Sequence, residues 1–443
     1  MSEFKDHFRH VEGLQLVSDA AGLPLSDVTS AARCTLSGKD GKSIPFKVPV
    51  SEELFSKHLL LLGNIGTGKT TAISQIISQV KASMANDDIM IIFDTKGDFY
   101  ERFFTEGDIV ITNDTTGFKG CNDRWNIFKE ITIDDTLRSI RENALEIANN
   151  LFADKIKNTT QPFFPQAAKD ILATFLAICA MDKEAADANS NESLLDFLEN
   201  VTKQDLLEFF ETNGYKRLGS YLSADSSGQS EGILSELYQL LSEIFVGSFR
   251  QRGTLSIRDL IRKKGGKTIF IEYDITIGSI LAPVYRLLFD LAIKEGMGKN
   301  RSRGNTWFVI DEFRLIPNLQ HIDNGINFGR SQGLKFILGL QNIPQVYQAY
   351  GESIAESLLS GLSTNISFRV DDKKSRSFIQ SRYGNALKKL VFRKSGQAAA
   401  GQIAEEIKTA LVIEDWDISR LNTGEAIIGI PNMNPFVFRF DQL

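Results

Sequence analysis

Short apolar runs mark the two ends of this chain, and a different apolar rhythm marks its middle. His58-Leu59-Leu60-Leu61-Leu62, Ile89-Met90-Ile91-Ile92-Phe93 and Ile109-Val110-Ile111 are uninterrupted and stop at glycine, acidic or polar residues. Such runs predict strands buried on both faces. Helix-period residues follow the first of them, from Thr70 to about Ala85. Strand signals return at Thr268–Tyr273, Trp307–Ile310, Phe336–Leu340, Ile366–Val370, Ala426–Ile430 and Phe436–Phe440, with a helix from about Leu281 to Glu295 between the first two. Strands alternating with helices predict a mainly parallel sheet covered by helices.

Between about Asp134 and Phe249 the period changes. Leu137, Ile140, Ala144, Ile147, Ala148 and Leu151 recur at three- and four-residue steps, as do Ala167, Ile171, Phe175 and Ile178, and Ile233, Leu237, Leu240, Leu241 and Ile244. Thr202 with Asp205 reads as a helix start and Gly214 as a stop. This predicts an all-helical insert of about 120 residues. Ahead of the first buried strand, Ala32–Leu36 and Ser43–Val48 predict a hairpin turning at Gly38-Lys39-Asp40-Gly41.

The chemistry begins where the first strand ends. Gly63-Asn64-Ile65-Gly66-Thr67-Gly68-Lys69-Thr70, followed by Thr71, is a phosphate loop by pattern. Its glycines let successive N–H groups face a β-phosphate at a helix N-terminus; Lys69 suits the β- and γ-phosphates and the Thr70 hydroxyl a magnesium ion. An unrelated glycine-rich turn is the alternative, but strand, loop and helix stand in the required order. ATP and Mg2+ are therefore the expected cofactors.

A second apolar run, Trp307-Phe308-Val309-Ile310, ends in Asp311-Glu312. Asp311 suits magnesium, and Glu312 can orient and deprotonate an attacking water; the alternative is a solvated loop or helix cap. The run Phe336–Leu340 ends on Gln341, placed either to sense a γ-phosphate or as a surface residue. Arg330, in Phe328-Gly329-Arg330-Ser331-Gln332-Gly333, is open to two readings: an arginine reaching into a neighbouring subunit's ATP site, or a surface salt bridge. Asp94-Thr95-Lys96-Gly97-Asp98 is likewise open between function and a turn with a helix cap.

Composition narrows the classes. A formal charge of −6 gives no global attraction to nucleic acid, so any DNA contact must be local. Lys299-Asn300-Arg301-Ser302-Arg303, and Lys388-Lys389 with Arg393-Lys394, are the basic loop candidates, solvated surface charge being the commoner reason for such runs; Arg262-Lys263-Lys264 reads as an exposed turn. Cys34, Cys121 and Cys179 are widely spaced and predict neither a disulfide framework nor a zinc site. The N-terminus lacks a signal pattern, and the longest apolar stretch, Ile171 to Met181, falls short of a bilayer span. A cytoplasmic protein without direct membrane insertion is expected.

Taken together, these motifs resemble the coupling-protein ATPases of type IV secretion and conjugation, within the FtsK–HerA group of P-loop motors. The resemblance rests on the phosphate loop, Asp94 to Asp98, Asp123-Arg124-Trp125-Asn126-Ile127-Phe128 and Pro162-Phe163-Phe164-Pro165-Gln166-Ala167-Ala168. It continues through Asp311-Glu312-Phe313, Gly329 to Leu334, Tyr350-Gly351, Ser363-Thr364-Asn365 and Phe368-Arg369-Val370. It runs from about Ser30 to the C-terminus. It implies a RecA-like P-loop nucleotide-binding domain with a mainly parallel central sheet, interrupted by an all-α domain. The division would be a lead-in with its hairpin over 1–50, the nucleotide domain over 51–130 and 255–443, and the helical insert over 131–254.

It also implies an ATP-hydrolysing, hexameric translocase that grips DNA without sequence preference, with Arg330 as the arginine finger in trans and Gln341 as the γ-phosphate sensor. Relaxase or secretion-channel components are the implied partners. Family members usually begin with transmembrane helices, which this sequence does not show. A partner would then hold it at the inner face of the membrane, or it would work on DNA elsewhere in a HerA-like processing or defence role. A nucleotide-dependent recruitment switch for protein cargo is the rival from another class.

Overall fold

A computed structural model describes residues 8–25, 32–223, 227–299, 303–393 and 403–442. In chain order its strands are β1 (Phe8–Glu12), β2 (Ala32–Asp40), β3 (Pro45–Ser51), β4 (Leu59–Leu62), β5 (Ile89–Asp94), β6 (Ile109–Ile111) and β7 (Lys267–Glu272). They continue with β8 (Thr306–Ile310), β9 (Leu334–Leu340), β10 (Thr364–Ser367), β11 (Asn385–Arg393), β12 (Ile403–Leu411), β13 (Glu425–Gly429) and β14 (Phe436–Phe440). The helices that bear on the sites are α1 (Lys69–Ala82), α2 (Asp98–Phe103), α3 (Leu137–Lys157), α4 (Phe163–Met181), α5 (Ser227–Ile244), α6 (Gly278–Met297) and α7 (Ile322–Phe328). The chain forms two compact units. One is Met1–Ser83, Phe308–Arg314 and Lys335–Leu443; the other is Met84–Trp307 and Leu315–Leu334.

In the first unit the strand order is β3-β2-β14-β13-β10-β4-β9-β8. β4 runs parallel to both β10 and β9, and its four leucines are fully buried, as an uninterrupted apolar run requires. From β10 outward through β13, β14, β2 and β3 the pairing is antiparallel. α1 is tied to this extension by side-chain amides. Gln75 exchanges two hydrogen bonds with the Ser37 backbone and Gln79 two with Thr35, at 2.8 to 3.0 Å. Buried Gln75 and half-buried Gln79 of α1 thus satisfy backbone groups of β2. A separate three-stranded antiparallel sheet has the order β1-β11-β12.

In the second unit β7 lies between β5 and β6, all parallel. The residues from α3 to α5 are helical, as their period predicts. Thr202 and Asp205 form a reciprocal capping box at the start of helix Lys203–Thr212. α4 is 19 residues long with mean hydropathy 1.3, long and apolar enough by composition to cross a membrane, but most of it is packed inside the unit. That helix is more extensive than the apolar stretch Ile171 to Met181 suggested.

The Asp123-Arg124-Trp125-Asn126 segment closes the two ends of the helical region against each other. Trp125 bridges to Leu255, the Asn126 amide donates to Asn189 and Gly253 carbonyls, and Asp123 accepts from the Thr254 backbone and hydroxyl. A Cβ on Gly253 would stand 2.0 Å from the Arg124 carbonyl oxygen, so only glycine fits there. Fully buried Glu130 completes the seam, accepting from Trp125 Nε1, the Ser256 hydroxyl and the Ile257 and Arg258 amides.

Several expectations are corrected. The first hairpin turns later than predicted: β2 continues to Asp40, whose carboxylate accepts from the Lys42 and Ile44 amides and organises the turn over 41–44. The run Ile366–Val370 leaves the sheet after Ser367, because Phe368 onward turns to the phosphate loop. Lys388 and Lys389 lie in strand β11 rather than a loop, ion-paired with Glu414 and Glu405. Arg262-Lys263-Lys264 is no exposed turn: Arg262 and Lys263 close a helix, Arg262 paired with Asp134 and Glu295 and Lys263 exposed, and Lys264 is buried. Asn300, Arg301, Ser302 and Lys394 lie outside the described residues.

Candidate active site

β4 delivers the glycine loop to the edge of the first unit's sheet. Gly66 and Gly68 have φ of 73° and 114°, values that side chains disfavour. Gly63 needs its hydrogen for space, since a Cβ there would meet Phe368 at 2.6 Å and the Thr67 hydroxyl at 2.8 Å. The loop is pinned from three sides: Gly63 N–H donates to Leu340 O, Asn64 N–H to Arg369 O, and Gly424 N–H to Thr67 O, at 2.9 to 3.0 Å. Inside it, Lys69 Nζ donates to the carbonyls of Gly63 (2.5 Å) and Asn64 (3.0 Å), so the buried ammonium is already folded into the loop it serves.

The acids arrive on β8. Thr70 Oγ1 donates to Asp311 Oδ2 at 2.9 Å, bringing two magnesium-type oxygen ligands together from positions far apart in sequence. Glu312, the next residue, accepts from Gln341 Nε2 at 2.5 Å and from Arg314 Nε at 3.0 Å. Gln341 follows β9 directly. Lys69, Thr70, Asp311, Glu312 and Gln341 are thereby assembled within one unit, while Ile65 stands at the loop tip, 75% exposed. Thr71 lies in the first turn of α1.

Arg330 belongs to the second unit, in the short turn Gly329–Gln332 that follows α7. It is exposed, and no hydrogen bond or ion pair holds its side chain among the described residues. The surface salt bridge left open by the sequence is therefore not what the structure shows.

Four neighbours of the site went unassigned in the sequence. Phe368 walls the loop at Gly63 and Gly68, Asp371 accepts from the Asn64 amide, Gly424 backs onto Gly68, and Arg314 pairs with Glu312. Arg314, two residues past an acid pair, carried a local signal. Gly424 carried none, because only the return of β13 and β14 brings it there.

A family model described as the type IV secretion-system coupling protein DNA-binding domain matches residues 43–435. The chain belongs to that coupling-protein family. The coupling protein TraD of Escherichia coli (strain K12) is 22% identical over 357 residues, which are 78% of this chain and 47% of TraD, so the chain spans about half that relative's length. The conjugative coupling protein TrwBdeltaN70, in an unbound monoclinic form, superposes with a TM-score of 0.74 at 20% identity, over 98% of this chain and 93% of that one. Plasmid coupling protein TrwB in complex with the non-hydrolysable ATP analogue ADPNP gives 0.71 at 19% identity, over 98% and 95%. This coupling-protein family member thus has the α/β, RecA-like P-loop fold with a mainly parallel central sheet interrupted by an all-α region.

The family segment Asp94 to Asp98 resolves toward the cap. Asp94 Oδ1 accepts from the Lys96 and Gly97 amides and Oδ2 from those of Phe99 and Tyr100, holding the start of α2. Asp94 is paired in register with Glu272 of β7, and both are buried. Burial first, then the Asp94 charge, pushes the Glu272 carboxyl up to about 9 from an ordinary 4.5. Burial also raises Asp94, against its four backbone donors.

In the folded state Glu272 therefore keeps a proton that the unfolded chain has already released. Stability should fall as pH rises above the ordinary carboxyl value and level off near 9. Urea unfolding across that range should show the slope, and Glu272→Gln should flatten it. An unchanged slope in the variant would remove Glu272 as its source.

Proposed function

We propose that this chain is an ATP-hydrolysing DNA translocase of the coupling-protein type, working as a ring of six subunits with each ATP site completed by Arg330 of the next subunit. The observation that carries the reading is the joint placement of Thr70 on Asp311 and Gln341 on Glu312 beside a pinned phosphate loop. ATP and magnesium fit the residues present: three glycines leave room where side chains would collide or strain, and a lysine already points into the loop.

In this reading Lys69 leaves the Gly63 and Asn64 carbonyls for the β- and γ-phosphates. Thr70 and Asp311 would hold magnesium, which would supply charge neutralisation to the phosphate oxygens. Glu312 Oε2 takes a proton from the attacking water, and Gln341, bonded to that oxygen, positions both. The freedom and exposure of Arg330 support a role across a subunit boundary, where it would balance charge developing on the transferred phosphoryl group. TrwB in complex with ADPNP, and with ADP and Mg2+, supports a purine nucleotide and magnesium at this site. The family's DNA-binding description supports DNA as the substrate. The setting would be the cytoplasmic side of a secretion channel, with relaxase or channel components as partners.

The ion pairs of Lys388 and Lys389 leave those lysines poor candidates for DNA phosphates, so the gripping surface is to be sought elsewhere. The reading is tested by ATPase rate against protein concentration, with and without single- and double-stranded DNA. Steep concentration dependence with stimulation by DNA is expected. A rate proportional to protein and indifferent to DNA would replace this reading with the recruitment switch for protein cargo.

A further inference from the structure

Two helices of the second unit face each other through matched polar stripes. α3 presents Glu146, Asn150 and Asp154, and α6 presents Arg286, Asp290 and Lys294, each set spaced four residues apart so that it lies along one helix face. They pair antiparallel as three rungs. Arg286 Nη1 meets Asp154 Oδ2 at 2.6 Å, Asn150 Nδ2 donates to Asp290 Oδ2 at 2.5 Å, and Lys294 Nζ meets Glu146 Oε2 at 2.5 Å. Arg286 is 1% exposed and Asp290 2% exposed. Burying such groups is costly unless every one is satisfied, so a purely apolar contact between these helices would be cheaper.

Each rung also reaches the same loop, residues 318–321. Asp154 Oδ1 accepts from the Asn318 amide at 3.4 Å. Asp290 accepts the backbone N–H groups of Gln320 and His321, both at 3.0 Å. Glu146 Oε1 pairs with His321 Nε2 at 3.0 Å. His321 is the residue immediately before α7, and α7 leads directly into the turn that carries Arg330. At its other end this segment is fixed where Gly333 O accepts from Thr306 N–H at 3.0 Å.

We propose that the three rungs form a clamp by which the helical insert sets the position of Arg330, with Glu146, Asn150, Asp154 and Asp290 as positioning residues for ATP hydrolysis in the neighbouring subunit. This rests on the reading of Arg330 as acting in trans. Nine residues separate His321 from Arg330, about 13 Å at helical rise, so a tilt of roughly 10° at the clamp moves the arginine by about 2 Å. A displacement of about 1 Å at a reacting centre can cost about a hundredfold in rate. Anything that docks on the insert and shifts α3 is thereby felt at a phosphoryl group bound next door.

The test uses the full chain. Glu146→Ala should lower kcat by about ten- to a hundredfold with KM for ATP changed less than about twofold, because the loop that binds nucleotide is untouched. Glu146→Gln, which keeps an acceptor for His321, should recover most of the loss. His321→Ala removes the same rung from the loop side and should behave like Glu146→Ala; it serves if the first variant does not fold.

Mixed rings then assign the defect. Glu146→Ala mixed with Lys69→Ala should regain activity, since one supplies an intact phosphate loop and the other an intact arginine. Mixed with Arg330→Ala it should regain none. Rescue by Arg330→Ala instead, or wild-type kcat in both clamp variants, would overturn the clamp. A control mixture of Lys69→Ala with Arg330→Ala contains no clamp change. Its failure to regain activity would remove the trans reading, and the clamp with it.

Discussion

Arg330→Ala should lower kcat by about 10³- to 10⁵-fold while leaving ATP affinity nearly unchanged. The side chain is exposed and has no hydrogen bond or ion pair among the described residues, so the loss would not be one of stability. The phosphate loop and both acids lie in the other unit and are left intact. Arg330→Lys should recover little, because an ammonium offers one point of charge where the guanidinium offers a planar fork to two oxygens. Steady-state rates at saturating ATP, beside equilibrium binding of a fluorescent ATP analogue, separate the two quantities. A variant within about tenfold of wild type would mean that charge on the phosphoryl group is met by some other cation, and that Arg330 is a surface residue.

Glu312→Gln should cost about 10²- to 10⁴-fold in turnover through loss of the general base, again with ATP bound. The substitution is nearly isosteric, so the Gln341 contact at 2.5 Å can be kept as an amide–amide hydrogen bond. What is lost is the capacity to accept a proton, together with the charge that holds Arg314. Retained turnover would move the assignment from Glu312 to another acceptor. Asp311 is a weak alternative for that part, because its carboxylate is committed to the Thr70 hydroxyl.

The order of strand, glycine loop and helix was legible because a buried parallel strand must be apolar throughout and a phosphate loop needs glycine at fixed intervals. β4, β5, β7, β8 and β9 accordingly fall within a residue or two of their runs. β1, β11 and β12 were missed for the opposite reason. Their sheet is small and largely exposed, and Asn385–Arg393 mixes lysines with apolar residues in no clean alternation. The basic residues there looked like loop charge because their acidic partners, Glu405 and Glu414, come from residues that fold back on them.

In the candidate site, Lys69, Thr70, Asp311, Glu312 and Gln341 could be read from their places at strand ends, but the walls around them could not. Phe368, Asp371 and Gly424 reach the loop only through sheet topology. The polar stripes on α3 and α6 were hidden for a further reason. Residues four apart with charge look like a solvated helix face, and only the partner helix buries Asn150, Arg286 and Asp290 among them.

The seam at Trp125 and Leu255 bears on how such proteins diversify. Because the helical region leaves and re-enters the chain at bridged neighbours, it has the anatomy of a cassette that recombination can exchange between relatives without lengthening any connection. A transplanted cassette would still need acceptors at the places of Glu146 and Asp154 and a donor at that of Asn150, all facing α6 of the host, with the two acids also meeting its 318–321 loop. Exchange of the cassette would then be filtered by three side chains buried or half-buried against the host, and chimaeras that keep them should be the ones that stay active.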